Sequence, residues 1–440
     1  MAAPLSCRRF LTIVSKSSVS LISAIVFAFL DALDAVMCLF FRVLDELLEG
    51  ESSPCYCSAA RKGDRVEKEM SESLFGRGNM IRDLVGRIGG GNWGFGFGFG
   101  GVGKLGKIRW SDCGCSSCVS WMRINGEDDD DDDDDDEYRL HLVVQQPERA
   151  MQENDSGDAA NVQNVIFIHG FLSSSTIWKE TVFPNLSELS RQSYRLFAVD
   201  LLGFGRSPKP RNCLYTLNDH LEMIEKSVIL PYRMKSFHVV AHSMGCVIAL
   251  ALAAKYSASV KSVTLIAPPY FSSSKGNASF EALRQLAPRR VWPPLLFGSA
   301  FMTWYEHLGR CVCFFICRNH RLWEWLLKRL TRTRELHFLI TDLALHTHHS
   351  AWHTMHNVIC GGAKMQDEYL KAIINGGGVR VHVIHGTNDR VVPVECSYNM
   401  KVTAPAIELE IVPNADHNSV IMGRGKELTK RLEGLWASTL

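Results

Sequence analysis

Three short strings follow one another along the chain and carry residues whose types and spacing suit acyl transfer: Ala241-His242-Ser243-Met244-Gly245, His385-Gly386-Thr387-Asn388-Asp389 and Asn414-Ala415-Asp416-His417. In that order they read as nucleophile, acid and base. A serine hydroxyl is a poor nucleophile until a base takes its proton, so Ser243 requires His417, which later returns that proton to the leaving group. Asp389 then orients the imidazole and stabilises its charged form. The other common place for the acid follows the next strand, but Ser262 to Ile266 runs into Ala267-Pro268-Pro269-Tyr270, which contains no carboxylate. Asp416 adjoins His417, and because neighbouring side chains diverge it reads as a loop-fixing carboxylate.

These side chains need a frame. Apolar runs of strand type precede each string, Phe237 to Ala241, Arg380 to Ile384 and Ile407 to Val412. All three sites therefore emerge at the carboxyl edge of a mainly parallel sheet, where open α/β sheets place their chemistry. A nucleophile on a tight strand-to-helix turn tolerates only small residues two places to either side. Ala241 and Gly245 hold those places, and the apolar stretch Cys246 to Ala254 supplies the helix. Stabilising an oxyanion takes backbone N–H donors, and Val165-Ile166-Phe167-Ile168-His169-Gly170-Phe171 offers a strand ending in a glycine turn. The expected donors are Phe171 and Met244. Gly170 permits the turn, and His169 holds the loop rather than serving as the base, since it precedes the nucleophile.

With Asp200-Leu201-Leu202-Gly203-Phe204-Gly205-Arg206-Ser207 as a fourth string, residues of about 160 to 440 resemble the α/β-hydrolase family, whose members carry such a glycine-rich turn after their fourth strand. The resemblance implies an α/β fold, a mainly parallel sheet flanked by helices with a helical lid insertion. Arg109-Trp110-Ser111-Asp112-Cys113-Gly114-Cys115, the phrase from His346 to His356 and Pro54-Cys55-Tyr56-Cys57 are similar to the plant BODYGUARD group. That resemblance implies lysophospholipase activity linked to cuticle formation.

The 440 residues, 46% hydrophobic with a formal net charge of +1, suffice for one large catalytic domain and give no global bias toward nucleic acid. We expect three parts: a signal or anchor region with an amphipathic helix over 1–57, a flexible glycine-rich linker over 58–108, and the hydrolase domain over 109–440. Arg8, Arg9 and Lys16 precede a charge-free stretch from Ser17 to Leu30. As a helix it reaches about 21 Å, short of a hydrocarbon core of about 30 Å. Asp31, Asp34, Arg42, Asp45 and Glu49 then recur at helical spacing as one polar stripe on an apolar helix suited to a membrane interface. The expectation is a secretory-pathway protein held at a membrane or outside the cell, with sequons at Asn154, Asn185 and Asn277; the simpler alternative packs the helix on the enzyme's own surface. Cys55 and Cys57 are candidate acylation sites that would add a second anchor.

Among 14 cysteines, Cys113, Cys115 and Cys118 have no fourth ligand at matching spacing, so no metal is expected there. Gly89 to Gly103 reads as a flexible linker. The acidic loop 127–137 reads as an insertion at the tip of a first hairpin, between strand-like runs Cys118 to Ile124 and Tyr138 to Val144. Between the sixth and seventh core strands, residues 272–376 form a lid rich in Trp292, Trp304, Phe314, Phe315, Trp323 and Trp325, an apolar content that suits an acyl chain. His349, His353 and His356 share one helical face in it and are read as hydrogen-bonding residues, not metal ligands. His337 and Asp342 match an acyltransferase pattern by letter, yet five residues apart on a helix they point to different sides.

The expected reaction is cleavage or transfer of an acyl group of a lipid ester through an acyl-enzyme at Ser243, with no diffusible cofactor. Water as acceptor gives a lysophospholipase or esterase, and a hydroxy fatty acid gives transesterification. The alternative class is a ligand receptor with slow turnover on the same fold.

Overall fold

Runs of Val, Ile, Leu and Phe form the strands β1 (Leu142–Gln145), β2 (Gln163–Ile168), β3 (Tyr194–Val199), β4 (Phe237–His242), β5 (Val260–Ile266), β6 (Arg380–Gly386) and β7 (Glu408–Val412). The computed structural model describes residues 5–50, 56, 70–75, 108–122, 139–148, 162–271, 277–376 and 378–438, with the side chains of the first helix described from Ser18 onward. The strands join in the order β1-β3-β2-β4-β5-β6-β7, with β1 antiparallel to β3 and every other pair parallel. β4 lies in the middle and is buried along its whole length, as befits a strand covered on both faces. Alternation along β2 feeds two cores: Ile166 and Ile168 pack on one face of the sheet, Val165 and Phe167 on the other.

Helix α1 (Leu5–Glu49) extends along the outside of the lid. Its acidic stripe is turned onto the protein, and its apolar side faces outward. Asp34 accepts the N–H groups of His307 and Leu308 at 2.9 and 3.0 Å, in the first turn of a lid helix whose free donors favour an anion. Asp45 takes a two-point bond from Arg310 at 2.6 and 2.7 Å and another from Trp110 Nε1 at 2.8 Å. Leu21, Ile25, Phe29, Leu39 and Leu47 remain exposed. The described part, Ser18–Glu49, is long and apolar enough to cross a membrane by length and composition.

One expected strand is a helix. Cys118 to Met122 belong to α2 (Ser116–Met122), so the described residues contain no first hairpin, and β1 pairs instead with β3 from Leu142 opposite Val199. The β-forming residues Val119 and Trp121 yield to tertiary contacts, because a helical turn brings the Cys115 and Cys118 side chains toward one lid histidine. With one strand fewer, the glycine-rich turn follows β3 and the lid lies between β5 and β6. Cys55, Cys57, the glycine tract Gly89 to Gly103, the acidic loop 127–137 and the sequon at Asn154 lie outside the described residues.

After β4 comes α3 (Gly245–Lys255), buried except at its last turn. The lid contributes α4 (Ala278–Leu286), α5 (Pro294–Trp304), α6 (Glu306–Phe315), α7 (His320–Thr331), α8 (Phe338–Asp342), α9 (His348–Thr354) with a wider turn over Met355–Cys360, and α10 (Gln366–Asn375). Its aromatics divide. Trp304 bonds the Ala287 carbonyl and lies under Arg289, and Phe314 packs edge-on to Trp110, whereas Trp292, Phe315, Trp323 and Trp325 are exposed.

Candidate active site

Ser243 sits where β4 turns into α3, and its backbone takes φ +52°, a left-handed conformation unusual for a residue with a side chain. Its N–H donates to the Ile266 carbonyl at 2.8 Å, which ties the turn to β5. Close packing explains the small neighbours. A methyl group on Gly245 would stand 2.6 Å from the His169 carbonyl oxygen and 2.8 Å from that of Ile168, so only glycine lets the turn approach β2. Ala241 is fully buried in the same crowd.

The loops after β6 and β7 bring two further side chains to this point. His417 Nε2 lies 2.9 Å from Ser243 Oγ, and its Nδ1 lies 2.7 Å from Asp389 Oδ2. Asp389 Oδ1 accepts the N–H groups of Val391 and Val392, both at 2.8 Å, which fixes the carboxylate plane. Burial alone would raise the Asp389 carboxyl, but hydrogen bonds from His385 and His417 outweigh it and hold the group well below the usual carboxylate range. A permanent carboxylate can only accept, so His417 Nδ1 carries the proton and Nε2 presents its lone pair to the serine hydroxyl. Asp416 points elsewhere, capping its own loop through Asn418 N and Ser419 N at 3.0 and 2.8 Å.

The loop after β2 closes the other side. A methyl group on Gly170 would be 3.1 Å from Ser243 Cβ, so this loop lies against Ser243 just before Phe171. The Phe171 and Met244 amides make no hydrogen bond among the described residues. His169 is buried, its Nδ1 facing the Gly170 carbonyl at 2.7 Å and its Nε2 accepting Leu201 N–H at 2.9 Å. Both ring nitrogens are engaged, and burial lowers its proton affinity, so it braces the loop. Asp200, from the glycine-rich string, supports the same region by accepting Ser175 N–H at 2.6 Å and Arg206 N–H at 2.9 Å.

Two lid segments are fastened beside this site. Ser174 donates to Asp342 at 2.7 Å, and Ser350 donates to the Gly203 carbonyl at 2.8 Å. Ser243 is only 9% exposed beneath them. His349 bonds the Cys213 carbonyl at 2.8 Å, His353 packs edge-on to Tyr56, and His356 pairs with Ser73 at 2.9 Å, so the lid histidines hold chain segments together. His337 is exposed and caps its own helix while Asp342 is buried, and the two do not meet.

Sequence reasoning passed over three histidines. His242 packs its ring 4.8 Å from that of His417 and bonds the His417 carbonyl at 3.0 Å; burial keeps it neutral, down at about 3. His385 braces Asp389 from behind. Both stand inside strings already singled out, so their position was visible although their role was not. The third, His320, sits in the lid 202 residues beyond Cys118, and its Nε2 lies 3.5 Å from both Cys115 Sγ and Cys118 Sγ. No local spacing announces such a partner.

Residues 163–423 match the family model described as alpha/beta hydrolase fold. The chain is 50% identical over 435 residues to the Arabidopsis thaliana protein named "Probable lysophospholipase BODYGUARD 4", covering 95% of this chain and 96% of that one. It is 46% identical to "Probable lysophospholipase BODYGUARD 5" of the same plant, covering 94% of each. A carboxylesterase structure from Nitrososphaera gargenis aligns with 68% of this chain and 94% of its own, at 18% identity and a TM-score of 0.45.

Proposed function

This chain belongs to the α/β-hydrolase family and its BODYGUARD group, and from that premise we propose that it is a serine hydrolase of lipid carboxylic esters, acting as a lysophospholipase or esterase. The observation that carries this reading is the continuous relay from Asp389 through His417 to Ser243, at 2.7 and 2.9 Å.

In this reading Ser243 Oγ attacks the ester carbonyl carbon while His417 Nε2 takes its proton. The Phe171 and Met244 N–H groups hold the resulting oxyanion. Collapse breaks the bond to the alcohol, which leaves with the proton from His417, and the acyl group stays on Ser243. Water then repeats the sequence and frees the fatty acid. Asp389 stays ionised throughout and balances the imidazolium.

The outward apolar side of α1 holds the enzyme at a membrane surface of the secretory pathway, where lysolipids partition. Acylation of Cys55 and Cys57 would reinforce that hold. Resemblance to the BODYGUARD group extends the role to cuticle formation.

Fluorophosphonate labelling of the full chain, beside Ser243→Ala and His417→Ala, tests the reading together with turnover of a lysophospholipid and a long-chain monoester. Labelling at Ser243 that both substitutions abolish, accompanied by lipid turnover, is the expected result. A folded chain that takes no label would overturn it and favour a ligand-binding role.

A further inference from the structure

Outside the candidate active site, the three cysteines of the string Cys113-Gly114-Cys115-Ser116-Ser117-Cys118 meet a histidine from the distant lid. The ligand atoms of Cys113, Cys115, Cys118 and His320 all lie within 4.8 Å of one another. We propose that these four residues form a structural zinc site that staples the segment before the catalytic core to lid helix α7.

The donor set and its geometry favour this. Three thiolates and one imidazole are a common closed tetrahedral set for zinc, with bonds of about 2.3 Å to sulfur and about 2.0 Å to nitrogen. Tetrahedral angles then put each sulfur about 3.5 Å from the nitrogen, and His320 Nε2 is 3.5 Å from both Cys115 Sγ and Cys118 Sγ. The widest edge needs to close by at most about 1 Å, since two zinc-bound sulfurs are about 3.8 Å apart.

The surroundings are those of a ligand set. His320 Nδ1 lies 2.9 Å from Glu324 Oε1, one helical turn along α7. A carboxylate only accepts, so Nδ1 carries the hydrogen and the Nε2 lone pair faces the sulfurs, the tautomer that a zinc ligand needs. The Cys115 N–H points at Cys113 Sγ at 3.5 Å, the kind of donor that steadies a thiolate. His320 and Cys118 are buried. An odd number of thiols around one imidazole is a poor arrangement for disulfides and a complete one for a metal.

The position suggests what the metal does. Trp110, just before the cysteines, bonds Asp45 of α1, and Arg310 of α6 bonds the same carboxylate. The zinc would add a third tie, between residues 113–118 and the start of α7, so that this end of the lid cannot swing away. A neighbouring trio, Cys313, Cys317 and His346, offers three donors and is not part of the proposal.

Zinc per chain is measured on the full-length protein, purified in neutral detergent under reducing conditions, beside Cys115→Ser/Cys118→Ser, His320→Ala and His320→Cys. The expected result is the loss of about one zinc equivalent in the first two variants and its retention in His320→Cys, whose four-sulfur set still binds. X-ray absorption on the unaltered chain covers the case in which the serine variant does not fold: a shell of three sulfurs and one nitrogen is expected. Zinc content unchanged by the substitutions would overturn the proposal. So would a full chain that takes up no zinc when it is supplied, or native protein in which two of the three cysteines form a disulfide.

Discussion

His385 Nε2 lies 3.3 Å from Asp389 Oδ2, the same oxygen that pairs with His417. The ring is locked at both ends, with Nδ1 2.6 Å from Ser397 Oγ and Nε2 3.0 Å from the Val392 carbonyl. Because Nε2 faces two acceptors it carries the proton, and the serine donates to Nδ1. His385 therefore holds the Asp389 carboxylate in place, and in the proposed reaction it is a positioning residue. Replacing it by Leu should lower kcat about tenfold with KM little changed, while fluorophosphonate labelling of Ser243 persists more slowly. A rise in KM with unchanged kcat would instead show that His385 supports substrate binding alone and would overturn the positioning role.

Asp389→Asn tests the relay itself. The amide fits the same space but can offer its NH₂ toward His417 Nδ1, favouring the tautomer in which Nε2 carries the proton and cannot take another. A fall in kcat of about 10⁴ with an intact fold is expected, by analogy with the same change in other serine triads. Because the carboxyl is held below its ordinary value, its stabilising contribution is present above about pH 4 and is lost as pH falls through the folded value. Steady-state rates from pH 5 to 9 check the first part, and thermal melts carried from pH 7 down to about pH 2, across the unfolded carboxyl value, check the second; a loss of kcat under tenfold would remove Asp389 from the mechanism.

The elbow predicts a sharp asymmetry. Gly245→Ala forces a methyl group to 2.6 Å from a backbone oxygen that cannot swing aside, so the turn must move. We expect a cost of about 1 to 3 kcal/mol, as for other overpacked cores, and a near loss of labelling because Ser243 moves with it. Ala241→Gly, which only removes a methyl group, should retain labelling. Equal labelling of the two variants would show that the approach of α3 to β2 is less tight than the distances require.

How far the sequence could be read follows from where each interaction lies along the chain. The meeting of Ser243, Asp389 and His417 was legible because each sits just past an apolar strand run, and strand ends on a parallel sheet converge whatever the loops do. His169 was legible as a brace because it precedes Ser243 in chain order, which leaves its side chain to hold the loop. Cys118 to Ile124 misled, since Val119 and Trp121 carry a strand preference that α2 overrides through contacts with His320. The acidic stripe of α1 was visible, but its partners Arg289, His307 and Arg310 lie in the lid, so the direction it faces could not be read from α1 alone. The same distance hid His320 from the cysteines.

Asp342 makes the lid fastening sensitive to pH. Burial, with the nearby Asp200 charge, pushes its carboxyl up to about 6, although the Ser174 hydroxyl opposes the shift. Between about pH 4, its unfolded value, and pH 6 the folded state binds more protons than the unfolded one, so stability falls as pH rises through that window. Above it the burden of a buried charge stays constant. Asp342→Asn keeps an acceptor for Ser174 without the charge, and should raise Tm at pH 7.5 while leaving it unchanged near pH 4. A difference in Tm that does not vary with pH would show that Asp342 does not titrate there.

The Arg310–Asp45 pair gives the union of α1 with the lid a measurable strength. Both side chains are nearly sealed from water, at 6% and 1% exposure, and the guanidinium also lies over the Phe41 ring, 4.4 Å from its centre. Removing one partner leaves a charge with no solvent to compensate it, so Asp45→Ala should destabilise the full chain by about 3 to 5 kcal/mol. Replacing both, as Asp45→Leu with Arg310→Met, removes the desolvation burden along with the attraction and should recover much of that loss. Chemical melts of the unaltered chain, Asp45→Ala and the double variant in one detergent make the comparison. If the double variant is no more stable than Asp45→Ala, the pair is not what couples the helix to the lid. If it recovers, α1 is an integral wall of the lid, and any membrane held by its outer side is held at a fixed distance from Ser243.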